Sequence, residues 1–84
     1  MTAAGGALPA PDVTVDALGQ RCPLPVIALA RRVETVEPGV VVGVLADDEA
    51  ARLDVPAWCT MRGQQYLGET ETPRGRLYLV RRAT

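Results

Sequence analysis

The chain reads as an α+β fold, a two-layer sandwich of order βαβαββ with two helices on one face of a four-stranded mixed sheet. Three observations predict this. Hydrophobic patterning changes from alternation at Asp12–Asp16 to helical spacing after Pro25, and then to the apolar run Val40–Ala46. Strand, helix, strand in that order gives a right-handed βαβ unit with parallel strands. Near the end, Thr72-Pro73-Arg74-Gly75 separates two strand-like segments and supplies Pro and Gly where a type I turn takes them. At 84 residues there is room for one small domain, read here as residues 12–84 behind a flexible leader over 1–11 rich in Ala, Gly and Pro.

Each element has a local reason. Asp12-Val13-Thr14-Val15-Asp16 alternates as a half-buried strand. The first helix is expected from Pro23 to about Glu37, with Val26, Ile27, Ala30, Val33 and Val36 facing inward and Arg31, Arg32, Glu34 and Glu37 outward. Pro38-Gly39 stops it. The run Val40–Ala46 is nearly all apolar and rich in β-branched valine, and fits a central strand. Ala50–Asp54 then forms a short helical turn, which Pro56 breaks, and a new helix capped by Asp54 runs from Ala57 to Arg62. Gln65–Glu71 and Arg76–Arg82 make the closing hairpin. The sheet face away from the helices is expected to be thinly covered or used for self-association.

The residues that carry chemistry cluster at Gly19-Gln20-Arg21-Cys22-Pro23-Leu24-Pro25. Proline is favoured at a first helical position, and the residue before it is pushed toward extended backbone. Cys22 is therefore predicted as the helix N-cap, with the amides of Leu24 and Val26 as the nearest free donors, since Pro23 and Pro25 have none. The helix N-terminus and Arg21 would then favour thiolate over thiol. The alternative is a buried, inert cysteine that merely caps a helix.

Composition narrows the function classes. The chain has no histidine, so neither a Cys–His nor a Ser–His pair is available and a thiol hydrolase is excluded. Two distant cysteines without histidine do not make a single-chain zinc site, and no metal site is expected. All nine basic residues are arginines against ten acids, a net charge of −1, which argues against direct nucleic-acid binding. Without a leader of charged-then-apolar type or a long apolar run, neither export nor a membrane span is indicated, and the cytoplasm is the expected compartment.

The run Cys22-Pro23-Leu24-Pro25, a CPxP motif preceded by Asp16-Ala17-Leu18-Gly19, resembles the signature of the TusA-like (SirA-like) sulfur carriers. The likeness continues through Pro38-Gly39, Ala46-Asp47-Asp48 and Asp54-Val55-Pro56-Ala57-Trp58-Cys59. What it implies is a carrier that takes sulfur as a persulfide on Cys22 and hands it on, supported by Arg21, Pro23, Leu24, Pro25 and Val26. Any enzymatic label would be sulfurtransferase-type, without a general base. No cofactor is implied. The implied partners are a cysteine desulfurase or rhodanese-type donor and an acceptor protein in tRNA thiolation, molybdenum-cofactor work or sulfur oxidation. Members working in tRNA thiolation commonly carry an acid where this chain has Leu24. The competing reading is a non-enzymatic regulatory adapter or RNA-binding module.

Other residues have two readings each. Cys59 packs the core, or acts as a resolving or regulatory thiol. Asp47-Asp48-Glu49 caps the following helix, or binds a hard cation. Arg31 and Arg32 lie on a solvated face, or touch a partner. Trp58 is semi-buried, or a docking anchor beside Cys22. The expected state is a monomer or weak homodimer.

Overall fold

The computed structural model describes residues 8–84. Six elements follow the expected βαβαββ order: β1 (Val13–Asp16), α1 (Leu24–Val33), β2 (Val41–Ala46), α2 (Ala51–Arg62), β3 (Gln65–Thr72) and β4 (Gly75–Arg81). The sheet order is β1-β2-β4-β3, with β1 parallel to β2 and the other pairs antiparallel. β2 sits at the centre because its apolar residues tolerate burial on both sides, and all but Leu45 are buried.

One face of the sheet presents Val42, Val44, Tyr78 and Val80 to the helices. Against it lie Leu29 and Val33 from α1 and Ala51, Val55 and Cys59 from α2, an almost wholly aliphatic core as the absence of phenylalanine requires. Burying each of these larger side chains contributes about 1.5–3 kcal/mol.

The helices differ from expectation in three ways. α1 ends at Val33, short of Glu37. The side chain of Thr35 donates to the Arg32 carbonyl at 2.6 Å, drawing the backbone out of helical pairing. The guanidinium of Arg82 then donates to the carbonyls of Val33 and Val36 at 2.8 and 2.7 Å, satisfying the orphaned helix end. The inward stripe of α1 is Pro25, Leu29 and Val33, whereas Ile27 is exposed. Finally, Pro56 does not break α2, which runs continuously to Arg62, so Asp54 is an interior residue and not a cap. The carbonyl deprived of a partner belongs to Arg52, an exposed residue, and burial of Val55 and Cys59 on the opposite side outweighs the loss.

On the helix-free face, Val41 and Leu79 are buried nonetheless. Residues 1–7 of the expected leader lie outside the described residues, but Leu8 and Pro11 lie across this face. A methyl added at Gly68 would meet Leu8 Cδ2 at 3.1 Å, and one at Gly43 would meet Pro11 Cβ at 3.1 Å. Thin cover by the chain's own residues is therefore what the face shows.

The hairpin end also braces the loop after β1. Gly75 approaches so closely that an added Cβ would lie 2.8 Å from the Ala46 carbonyl oxygen and 3.1 Å from Leu18 Cδ2. Gly63, the left-handed residue that ends α2, has open space in the same direction. Alanine at Gly63 is expected to cost about 1–2 kcal/mol from backbone conformation alone. Alanine at Gly75 is expected to cost more, about 2–4 kcal/mol, because backbone must also move. Urea unfolding of the two variants checks this, and equal losses would contradict the close approach.

Candidate functional site

The chain leaves β1 at Asp16 and reaches α1 at Leu24 through a loop with few hydrophobic anchors, so polar contacts must fix its path. Ala17, fully buried, donates its N–H to the Leu45 carbonyl at 2.8 Å and extends the strand pairing by one residue. The carboxylate of Asp16 then accepts from Leu18 N–H at 3.0 Å. Next, Asp47 at the end of β2 accepts from Gly19 N–H through both oxygens, at 3.0 and 3.2 Å. Asp48 Oδ2 accepts from Cys22 N–H at 2.6 Å, a short charge-assisted bond, and its Oδ1 accepts from Ala50 N–H at 3.2 Å at the approach to α2. One carboxylate thus ties the cysteine loop to the start of the second helix.

Cys22 is not the N-cap of α1. The N–H of Leu24 donates to the Arg21 carbonyl at 2.8 Å, closing a turn with Cys22 and Pro23 at its centre. Pro23 flanks the helix, the Cys22–Pro23 peptide is cis, and Ile27 is the residue whose N–H reaches the Pro23 carbonyl at 3.1 Å. The Leu24 amide, expected to face the sulfur, is therefore already engaged.

The thiol is exposed and free. Its electrostatic setting reverses the sequence expectation. Asp54, within hydrogen-bonding reach, and the nearby charge of Asp48 raise the Cys22 pKa above that of an ordinary thiol. Arg21 acts instead on Asp48, whose carboxyl is held below its usual range by the Cys22 and Ala50 amides and then by that arginine. The direction is toward thiol and away from thiolate.

The sequence-predicted residues divide into two groups. Arg21, Pro23, Leu24, Pro25 and Val26 all lie around Cys22, with Leu24 half-exposed and Pro25 turned into the core. Trp58 joins Cys22, Pro23 and Val26 in an open groove, whose far wall is the α2 stripe Asp54, Ala57, Trp58 and Met61. Arg31 and Arg32 are exposed at the far end of α1, about 12 Å along the helix from Leu24. Cys59 lies on the opposite side of α2 from the groove, buried in the core, where desolvation pushes its thiol up to about 11.

Sequence reading missed three carboxylates. Asp47 and Asp48 serve the cysteine loop across 28 and 26 residues, and no local pattern announces that. Reading Pro56 as a helix breaker makes Asp54 a cap, a role that the continuous helix removes. Spacing offered a usable signal, since Asp54, Ala57, Trp58 and Met61 recur at one-face intervals in an uninterrupted helix.

Comparison with known proteins agrees with this construction. The family model described as sulfurtransferase TusA matches residues 13–82. A crystal structure of a SirA-like protein from Desulfitobacterium hafniense is similar at 33% identity, with a TM-score of 0.69, covering 82% of this chain and 93% of that one. The match takes in the cysteine loop, both carboxylates that hold it and the α2 wall of the groove, and the chain belongs to the TusA family of sulfurtransferases.

Proposed function

We propose that this protein relays sulfur as a persulfide on Cys22, accepting it from a cysteine desulfurase or rhodanese-type donor and passing it to an acceptor cysteine. The observation that carries the reading is a free, exposed thiol fixed on a short turn and rimmed by apolar side chains. Such a sulfur is accessible to two partners in succession. Thiol–persulfide exchange needs little more than access, alignment and management of one proton.

In the loading step Cys22 Sγ attacks the outer sulfur of the donor persulfide. A new S–S bond forms at Cys22, the donor's S–S bond breaks, and the donor's inner sulfur leaves with the electron pair. In the unloading step the acceptor cysteine's sulfur attacks the outer sulfur of the Cys22 persulfide, the S–S bond at Cys22 breaks, and Cys22 Sγ leaves with the electron pair. No external oxidant is consumed, because the sulfane sulfur changes only its partner.

The rim supports protein partners. Met61 lines the groove beside Trp58 and is exposed, and Leu24 and Ile27 are exposed on α1. Exposed apolar side chains of this kind are typical anchors of transient interfaces. The arginines, by contrast, are partly engaged: Arg52, Arg74 and Arg76 pair with carboxylates, and Arg82 caps α1. That favours protein partners over direct nucleic-acid contact. Among the described residues no helix is long and apolar enough to cross a membrane. We place the relay in the cytoplasm, with acceptors in tRNA thiolation, molybdenum-cofactor work or sulfur oxidation.

Incubation with a desulfurase and cysteine, followed by intact mass spectrometry, tests the reading. Wild type is expected to gain about 32 Da, one sulfur atom, and Cys22→Ser to gain nothing. Cys59→Ser is expected to load as wild type does, since Cys59 faces the core. Uptake by Cys22→Ser, or none by wild type from any persulfide donor, would overturn the proposal.

Docking has its own readout. Trp58→Ala is expected to raise the half-saturating donor concentration about tenfold while leaving the maximal loading extent unchanged, as loss of an anchor of about 1.4 kcal/mol would. Unchanged concentration dependence would remove Trp58 from the interface.

A further inference from the structure

The groove beside Cys22 contains one ionisable group other than the thiol. Asp54 stands on the α2 stripe that forms the far wall, followed at helical spacing by Ala57, Trp58 and Met61. Its carboxylate is half-buried and, among the described residues, is in no ion pair. Arg52 on the same helix turns instead to Glu49 and Glu69, at 3.9 and 3.5 Å.

Other groups near the sulfur are committed or unsuited. Asp48 spends one oxygen on Cys22 N–H and the other on Ala50 N–H. Arg21 carries a fixed positive charge and cannot take a proton. The chain has neither histidine nor lysine. Yet a thiol that attacks a sulfane sulfur must shed its proton as the new bond forms.

We propose that Asp54 is the proton acceptor for Cys22 in sulfur transfer; this rests on the reading of Cys22 as the sulfur-accepting residue. As Cys22 Sγ bonds to the donor's outer sulfur, its proton passes to an Asp54 carboxylate oxygen. The donor's S–S bond breaks, its inner sulfur leaves with the electron pair, and that thiolate takes the proton back from Asp54. Atoms and charge balance within the pair of proteins, and no oxidant or reductant is required.

The apolar wall has a role in this step. A carboxylate in water is a weak base toward a thiol. A docked donor that covers Ala57, Trp58 and Met61 removes water from Asp54, and desolvation disfavours its charged form and strengthens it as a base. Proton acceptance is thereby coupled to docking, and an unpartnered Cys22 stays protonated. The raised thiol pKa agrees with this arrangement.

Asp54→Asn separates the proposal from a simple charge effect. Asparagine keeps the size but cannot accept the proton. Removing a negative charge beside the thiol is expected to speed iodoacetamide alkylation of Cys22 severalfold at neutral pH, because more thiolate is present. Loading from a desulfurase is expected to move the opposite way and slow by at least about tenfold, with partial recovery in Asp54→Glu. Asp54→Ser serves as a second neutral variant should asparagine disturb the helix, and is expected to show the same divergence. Alkylation and loading rising together would overturn the role of Asp54 while leaving the carrier intact. Absence of loading in wild type would instead overturn the carrier reading itself.

Discussion

The bond from Cys22 N–H to Asp48 Oδ2, at 2.6 Å, is the constraint on which the rest of the site depends. Asp47 and Asp48 directly follow the central strand, the most deeply buried element of the sheet, and they reach sideways to the backbone of the loop that follows β1. A loop with few hydrophobic anchors would otherwise sample many paths, and fixing each residue costs about 1–2 kcal/mol in conformational entropy. Charge-assisted bonds to backbone amides offset that cost where side-chain packing cannot. The position of the sulfur is thus inherited from β2 through two carboxylates, and the same Asp48 aligns the approach to α2. Both walls of the groove therefore share one reference point.

This way of holding the loop accounts for part of the electrostatics. Asp54 across the groove, and then the Asp48 carboxylate that holds the loop, bring negative charge to the thiol and raise its pKa above that of an ordinary cysteine. A stabilised thiolate would be a poorer nucleophile, because nucleophilicity falls with pKa, and would stand open to oxidants between deliveries. A protonated thiol with a carboxylate nearby is quiet until a partner arrives. Arg21, which the sequence places next to the sulfur, serves Asp48 and only indirectly the cysteine.

The parts of this picture legible in the sequence are those set by short-range chemistry. The apolar run of β2, the alternation of β1 and the Thr72–Gly75 hairpin follow from local propensity and turn residues, and the parallel pairing of β1 with β2 follows once the βαβ unit is recognised. Helix boundaries were less legible because distant groups decide them. Arg82, far along the chain, donates to the carbonyls where α1 ends, and burial of Val55 and Cys59 carries α2 through Pro56. The exposed thiol was foreseeable from Cys22-Pro23, but its charge state was not. Asp48 and Asp54 lie 26 and 32 residues away in sequence and reach the sulfur only through the fold. Cover of the second sheet face by Leu8 and Pro11 was equally hidden, since both sit in a segment of low-information composition.

The account stands on an exposed thiol whose pKa is raised by Asp54 and by the Asp48 that fixes its loop. The most direct test follows the ultraviolet absorbance of the thiolate against pH in Cys59→Ser, where Cys22 is the sole thiol. A midpoint above that of a free cysteine, about 8.5, is the predicted result, with a downward shift when Asp54 is replaced by Asn. A midpoint well below that value in the unsubstituted loop would mean that the helix start and Arg21 govern the sulfur after all, and would contradict the account.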